Sequence, residues 1–144
     1  ISDGGAAILL MRESEAARRG LQPLARIVSH ATHAQKPSLF ATAPAPAIRQ
    51  VVAKAGWTMS DVDLFEINEA FAVVTLLAMD ELGLSHDVVN VNGGACAMGH
   101  PIGATGARII VTLLHALRRR GLKRGVASLC IGGGEATATA IEIL

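Results

Sequence analysis

The stretch GGACAMGHPIGATGAR, residues 93–108, holds five glycines, one histidine and one cysteine in sixteen residues. Its chemistry rests on His100. Pro101 disfavours the α region for the residue before it and holds His100 extended. A helix is expected from residue 103 onward, and a helix N-terminus offers free N–H groups and a partial positive charge. A histidine beside such an end tends to stay neutral. Neutral imidazole can take a proton or donate a hydrogen bond to a developing oxyanion. The plainer reading is a loop histidine that satisfies local backbone. Nucleotide readings fail on spacing: no Lys-Ser/Thr pair follows the glycines, and Gly99-x-x-x-Gly103-x-x-Gly106 is not G-x-G-x-x-G. A zinc site would need Cys96, His100 and Cys130, but Cys-x-x-x-His on a loop is an uncommon ligand spacing and no CxxC is present. No metal is expected.

Two further constellations carry chemistry. In CIGGG (130–134), Cys130 ends an apolar run and three glycines follow Ile131. Consecutive glycines let backbone N–H groups approach and converge on a ligand, as an oxyanion hole requires. The plainer reading is a buried structural cysteine before a hairpin turn. In NEAFA (68–72), Asn68 stands between a strand and a helix, where an N-cap role would be sufficient. A functional asparagine there would hold a water or another side chain. Sites in α/β sheets collect at strand-to-helix turns, so Asn68, His100 and Cys130 are candidates to converge. A thiol beside an imidazole suits proton transfer or nucleophilic attack.

The elements that must position these groups follow from periodicity and punctuation. GAAILLM (5–11) reads as a buried strand, and 14–20 as a short helix that Ser14 can cap and Gly20 can end. Residues 25–33 read as a strand, and the proline-broken 35–46 as a loop. A helical stripe over 47–56 closes on glycine. Residues 62–67 read as a strand. The run 69–83, apolar nearly all round, reads as a buried helix. A short strand or extended lead-in is expected at 88–92, and an amphipathic helix at 103–120. Residues 126–144 read as strand, glycine turn, strand. Phe65 and Cys96 are expected in the core. Strands alternating with helices and closed by a hairpin give an α/β fold with a mixed sheet layered with helices.

The bulk numbers agree. Hydrophobic residues make up 51% of 144, and aromatics only 3%, which suits strands covered by helices better than a β-sandwich. A net charge of +1 argues for no nucleic-acid partner, and the run RRRGLKR (118–124) suits a solvated helix C-terminus. Apolar runs fall short of a membrane span, so a soluble, non-secreted protein is expected. Two cysteines make no disulfide framework. The chain reads as a piece of something longer.

Taken together, NEAFA, NVNGGACAMGHPIGATGAR and LCIGGG resemble the C-terminal half of the thiolases, in that family's order and spacing. SDGGAAILLM and PAIRQVVAKAGWTMSDVDLFEINEAFA are similar to it too, so the likeness covers essentially residues 1–144. It leans toward the biosynthetic branch. The resemblance implies a thiolase-like C-terminal domain from a layered αβαβα subunit that works as a dimer or tetramer in the cytoplasm. It implies an acyltransferase that interconverts two acetyl-CoA with acetoacetyl-CoA and CoA by a Claisen condensation, with no cofactor beyond the coenzyme A thioester substrate. His100 matches the histidine that activates the nucleophilic cysteine and, with a water held by Asn68, stabilises the enolate oxygen. Cys130 matches the acid/base that removes the α-proton, and the N–H of Gly132 matches a donor of the second oxyanion hole. Phe71 and Phe40 align near the pantetheine and acyl pocket. The acyl-accepting cysteine and most of the CoA-binding loop domain belong to an N-terminal half outside this chain. Glu135 and Ala136 stand where a Met-Gly pair also occurs. The competing readings are a degradative 3-ketoacyl-CoA thiolase and, for the chain alone, a non-catalytic folded domain. A ketosynthase fits less well, because that related family pairs two histidines with its nucleophile.

Overall fold

The computed structural model describes residues 1–144. In chain order the regular elements are α1 (Glu13–Arg18), β1 (Ala25–Ala34), α2 (Pro44–Lys54), β2 (Leu64–Ile67), α3 (Ala72–Leu82), α4 (Ala95–Met98), α5 (Thr105–Arg120), β3 (Arg124–Ile131) and β4 (Glu135–Ile143). Two 3-10 turns joined by a kink at Leu39 cover Pro37–Thr42, and single turns cover Met59–Asp61 and His86–Val88. The strands form one mixed sheet in the order β1-β4-β3-β2. β2 and β3 run parallel, whereas β3–β4 and β4–β1 are antiparallel.

Alternation along the strands sends side chains to two cores. On one face Phe65, Ile67, Val126, Ala136, Ala138 and Ala140 meet α2 and α3 through Ala47, Ile48, Val51 and Ala78. On the other, Leu64, Ala127 and Ile141 meet α5 through Ile109, Leu113, Ala116 and Leu117. The α5 spacing is that of a single helical stripe. Phe65, expected in the core, is there with 1% of its surface exposed. The small alanines of β4 let α2 lie close to the sheet, so a core nearly free of aromatics still packs.

The hairpin at 126–144 forms as the sequence predicts, extended backward to Arg124. Its turn has a glycine requirement at Gly134, where φ is +93 and a Cβ would collide with the Gln35 carbonyl. Several expectations need correction. Residues 5–11 form no strand and are exposed, Leu9 at 81%. The start of the segment is tied to the 99–101 loop, where Ser2 donates its N–H to the His100 carbonyl, and residues 5–11 make no backbone hydrogen bond to any strand. Ser14 caps nothing: the N-cap of α1 is Arg12. α2 begins at Pro44, inside the expected loop, because proline suits the first turn of a helix where its missing N–H is not needed. The N-cap of α3 is Phe71, so Asn68 is not a capping residue. Only Val74, Thr75 and Ala78 of α3 are buried, and Leu76 is 61% exposed, because one face of the helix has no neighbour. Residues 88–92 give a single bridge, Val89 to Phe65, in place of a strand. Cys96, expected in the core, lies exposed on the one-turn helix α4. α5 starts at Thr105, two residues later than expected.

Candidate active site

The parallel strands β2 and β3 end side by side, and the chemistry gathers at their carboxyl ends. Ile67 pairs with Ser128, and the Asn68 N–H continues the ladder by donating to the Ser128 carbonyl at 2.9 Å. This fixes the backbone of Asn68 rigidly. Cys130 lies two residues beyond Ser128 on β3, at the same end of the sheet. Register therefore brings Asn68 and Cys130 to one edge from positions 62 apart in sequence.

The His100 loop is tied to that edge from the other side. Asn90 has a left-handed backbone, φ +48, which asparagine tolerates better than most residues. Its side-chain amide covers the free edge of β2: Oδ1 accepts the Ile67 N–H at 2.8 Å, and Nδ2 donates to the Ile67 carbonyl at 2.8 Å. The amide takes the place of a neighbouring strand. Glu69, next to Asn68, accepts the Cys96 N–H at 2.8 Å and so holds the first turn of α4. A Cβ at Gly94 would push that carboxylate aside, so glycine leaves room for it to reach the Cys96 N–H. His100 follows directly after this anchored segment.

The structure brings His100 and Asn68 together. Asn68 is 1% exposed, and its Nδ2 lies 3.5 Å from His100 Nε2. The other ring nitrogen, Nδ1, lies 2.7 Å from the hydroxyl of Thr105, which itself donates to the Pro101 carbonyl at 2.9 Å. Burial depresses the His100 pKa below its usual value, and the positive charges of the Ile1 amino group and then of Arg108 add to the effect. The imidazole is therefore neutral at pH 7, with burial rather than the helix end as the main cause. Asn68 Oδ1 is buried without a protein partner. A buried acceptor in that state is a place for a water or a substrate group.

Cys130 is buried, and burial pushes its thiol pKa up. The thiol makes no hydrogen bond to His100 or Asn68; what it shares with them is the end of the sheet. Beyond it, the N–H groups of Gly132 and Gly133 donate to no protein acceptor, and a Cβ at Gly132 would meet open space. Packing thus does not explain the glycine at 132, and its N–H is free to face a ligand. Phe40 and Phe71 meet edge to face with centroids 6.2 Å apart, and Phe71 is 61% exposed. They form an apolar wall at the start of α3. No three His, Cys, Asp or Glu side chains group as metal ligands.

Sequence reasoning missed Thr105, Asn90 and Glu69. Threonine at a helix start reads as a helix-start residue, and the partners of Asn90 and Glu69 lie 23 and 27 positions away. It also missed the pair of Glu66 on β2 and Arg108 on α5, 3.5 Å apart and both largely buried.

The class this defines is an α/β domain that collects polar groups, a histidine facing a buried asparagine among them, at the ends of adjacent parallel strands. A family model for the thiolase C-terminal domain matches residues 21–143. The chain belongs to the thiolase family. It is 57% identical over 142 residues to the cytosolic acetyl-CoA acetyltransferase of Mus musculus, covering 99% of this chain and 36% of that protein. It is 54% identical over 144 residues to the acetyl-CoA acetyltransferase of Rhizobium meliloti, covering 100% and 37%. Among solved structures it resembles the acetyl-CoA acetyltransferase of Bacillus anthracis, with a TM-score of 0.91 and 52% identity over 93% of this chain and 34% of that one. The chain thus spans about a third of the length of the relatives it matches.

Proposed function

We propose that residues 1–144 supply part of the active site of an acyltransferase that interconverts two acetyl-CoA with acetoacetyl-CoA and CoA. The observation that carries this reading is the neutral His100, its Nε2 facing Asn68 at the end of β2, with Cys130 at the end of the adjacent β3. The names of the relatives support the acetyl substrate, since each is called an acetyl-CoA acetyltransferase.

The chemistry follows from the state of each group. His100 Nε2 takes the proton of a nucleophilic cysteine contributed from outside these residues. That thiolate attacks the thioester carbonyl, and CoA departs. Burial holds Cys130 protonated, so it first acts as an acid and protonates the CoA thiolate. As a thiolate it then takes the α-proton of the second acetyl group. The raised pKa makes it the stronger base for that weakly acidic C–H. His100, now carrying a proton on Nε2, donates to the enolate oxygen together with a water on Asn68. The Gly132 N–H serves the acyl-enzyme carbonyl, and Phe71 and Phe40 border the pantetheine and acyl path. No cofactor is required beyond the coenzyme A thioester.

In the full-length protein, His100→Ala and Cys130→Ala each reduce acetoacetyl-CoA thiolysis by about 10²–10⁴-fold while circular dichroism and melting temperature stay near wild type. Wild-type rates in either variant overturn the assignment. Residues 1–144 alone give no thiolysis; turnover by them would make Cys96 or Cys130 the acyl carrier. The degradative 3-ketoacyl-CoA reading is separated by chain-length kinetics, with sustained turnover of long-chain ketoacyl-CoA as its signature. Two supports favour a cytoplasmic homo-oligomer, dimer or tetramer: the cytosolic name of the Mus musculus relative and the family resemblance. No helix is long and apolar enough to cross a membrane.

A further inference from the structure

Thr105 is fully buried at the first residue of α5, and its hydroxyl touches two groups. It lies 2.9 Å from the Pro101 carbonyl and 2.7 Å from His100 Nδ1. A hydroxyl has one proton to give. Threonine in a helix commonly gives it to the carbonyl four residues back, which here is Pro101. The N–H groups of Ala104 and Thr105 bind that same carbonyl at 2.8 Å each, so the acceptor is fixed by the first turn. With its proton committed, the Thr105 oxygen can only accept from His100, and Nδ1 must carry the ring hydrogen.

The other side of the ring makes the same demand. Asn68 Nδ2 faces Nε2 at 3.5 Å, and an amide N–H there calls for a lone pair on the ring. The reverse arrangement has Thr105 donating to Nδ1 and Nε2–H donating to an Asn68 amide turned over. It would leave the Asn68 N–H buried without a partner in place of its carbonyl. Orphaned N–H groups are the rarer of the two in folded proteins.

We propose that Thr105 is the positioning residue of His100, its hydroxyl fixing the imidazole as the Nδ1–H tautomer so that Nε2 alone exchanges the proton. This rests on the reading of His100 as the proton acceptor. It extends that reading by assigning the selection of the working nitrogen to one buried hydroxyl.

The test uses full-length protein labelled with ¹⁵N at histidine, with His100→Asn identifying the His100 resonances. In the wild type at neutral pH, Nδ1 shows the signal of a protonated nitrogen and Nε2 that of a bare one. The opposite pattern overturns the proposal without any substitution at Thr105. Thr105→Val removes the hydroxyl at nearly constant shape, and Thr105→Ser keeps it. Valine should shift the tautomer toward Nε2–H and lower kcat on the order of 10–100-fold, with KM within about twofold. Serine should restore both the ¹⁵N pattern and most of kcat. Equal losses in valine and serine with an unchanged ¹⁵N pattern would show a packing role only and overturn the proposal. If His100→Ala instead retains thiolysis, the proposed function fails, whereas the ¹⁵N result for Thr105 still stands or falls on its own.

Discussion

Between His100 and Asn68 the protein keeps a buried carbonyl oxygen with no partner, Asn68 Oδ1. Such a group costs about 1–3 kcal/mol unless a water or a ligand satisfies it. The same side chain faces the ring, Nδ2 against Nε2 at 3.5 Å. Because burial already holds the His100 pKa below 6.5, activity that needs neutral imidazole survives to mildly acidic pH and is lost as pH falls through that depressed value. Asn68→Asp places a carboxylate where the amide now faces Nε2. An opposite charge at that range favours imidazolium and raises the histidine pKa. The acid limb of kcat/KM against pH should move up by about 1 unit or more in Asn68→Asp, and a limb that stays in place would remove Asn68 from contact with the ring. At this scale the residue types announced themselves: His100, Cys130 and Asn68 stood in glycine-rich or strand-end settings. Thr105 did not, because its partner is fixed by a side-chain rotamer that no spacing rule encodes.

The elements hold the site through side chains that imitate backbone. Asn90 closes the open edge of β2 with one donor and one acceptor on Ile67, and Thr75 adds a hydrogen bond to the same carbonyl at 3.1 Å. Asn90→Ala leaves the Ile67 N–H buried and unpaired, and it also puts a residue with a plain Cβ in the left-handed region. A loss of about 2–4 kcal/mol follows, read as a lowered denaturation midpoint of the full-length protein. A change within about 0.5 kcal/mol would mean the loop is held by other contacts. The strands and long helices were legible in sequence because each has a local pattern: alternation in β4, a single stripe in α5. The 88–92 segment was misread because VVN has strand composition, while its actual role depends on which edge of β2 lies nearby. The run at 5–11 failed for the related reason that a strand exists only where a neighbour offers hydrogen bonds.

For the molecule as a whole, Glu66 couples folding to pH. It sits on β2 with 1% exposure, and burial raises its pKa from 4.5 to about 7 against the opposing pull of Arg108. The folded protein therefore keeps the proton over a range where the unfolded chain has lost it. Stability from this group is fully present below pH 4.5 and is lost as pH rises through about 7, a difference of up to about 3 kcal/mol. Glu66→Gln should flatten the fall in melting temperature between about pH 5 and about pH 8, and an unchanged slope would assign it to other groups. Four polar atoms of the Glu66–Arg108 pair, Glu66 Oε1 and Oε2 with Arg108 Nε and Nη2, lack hydrogen bonds, which keeps the pair dependent on its surroundings. The sequence by itself determined the fold class, the hairpin, the α5 stripe and the three candidate residues, His100, Cys130 and Asn68. Those are local properties: periodicity, turn residues and reactive groups are written one after another in the chain. Only the tertiary structure decided that β2 and β3 run parallel and end together. It alone set Asn90 on an open edge, Thr105 against Nδ1 and Glu66 against Arg108. Each of those pairings depends on strand register, helix rotation or a side-chain torsion, and those are fixed by packing among residues distant in the chain.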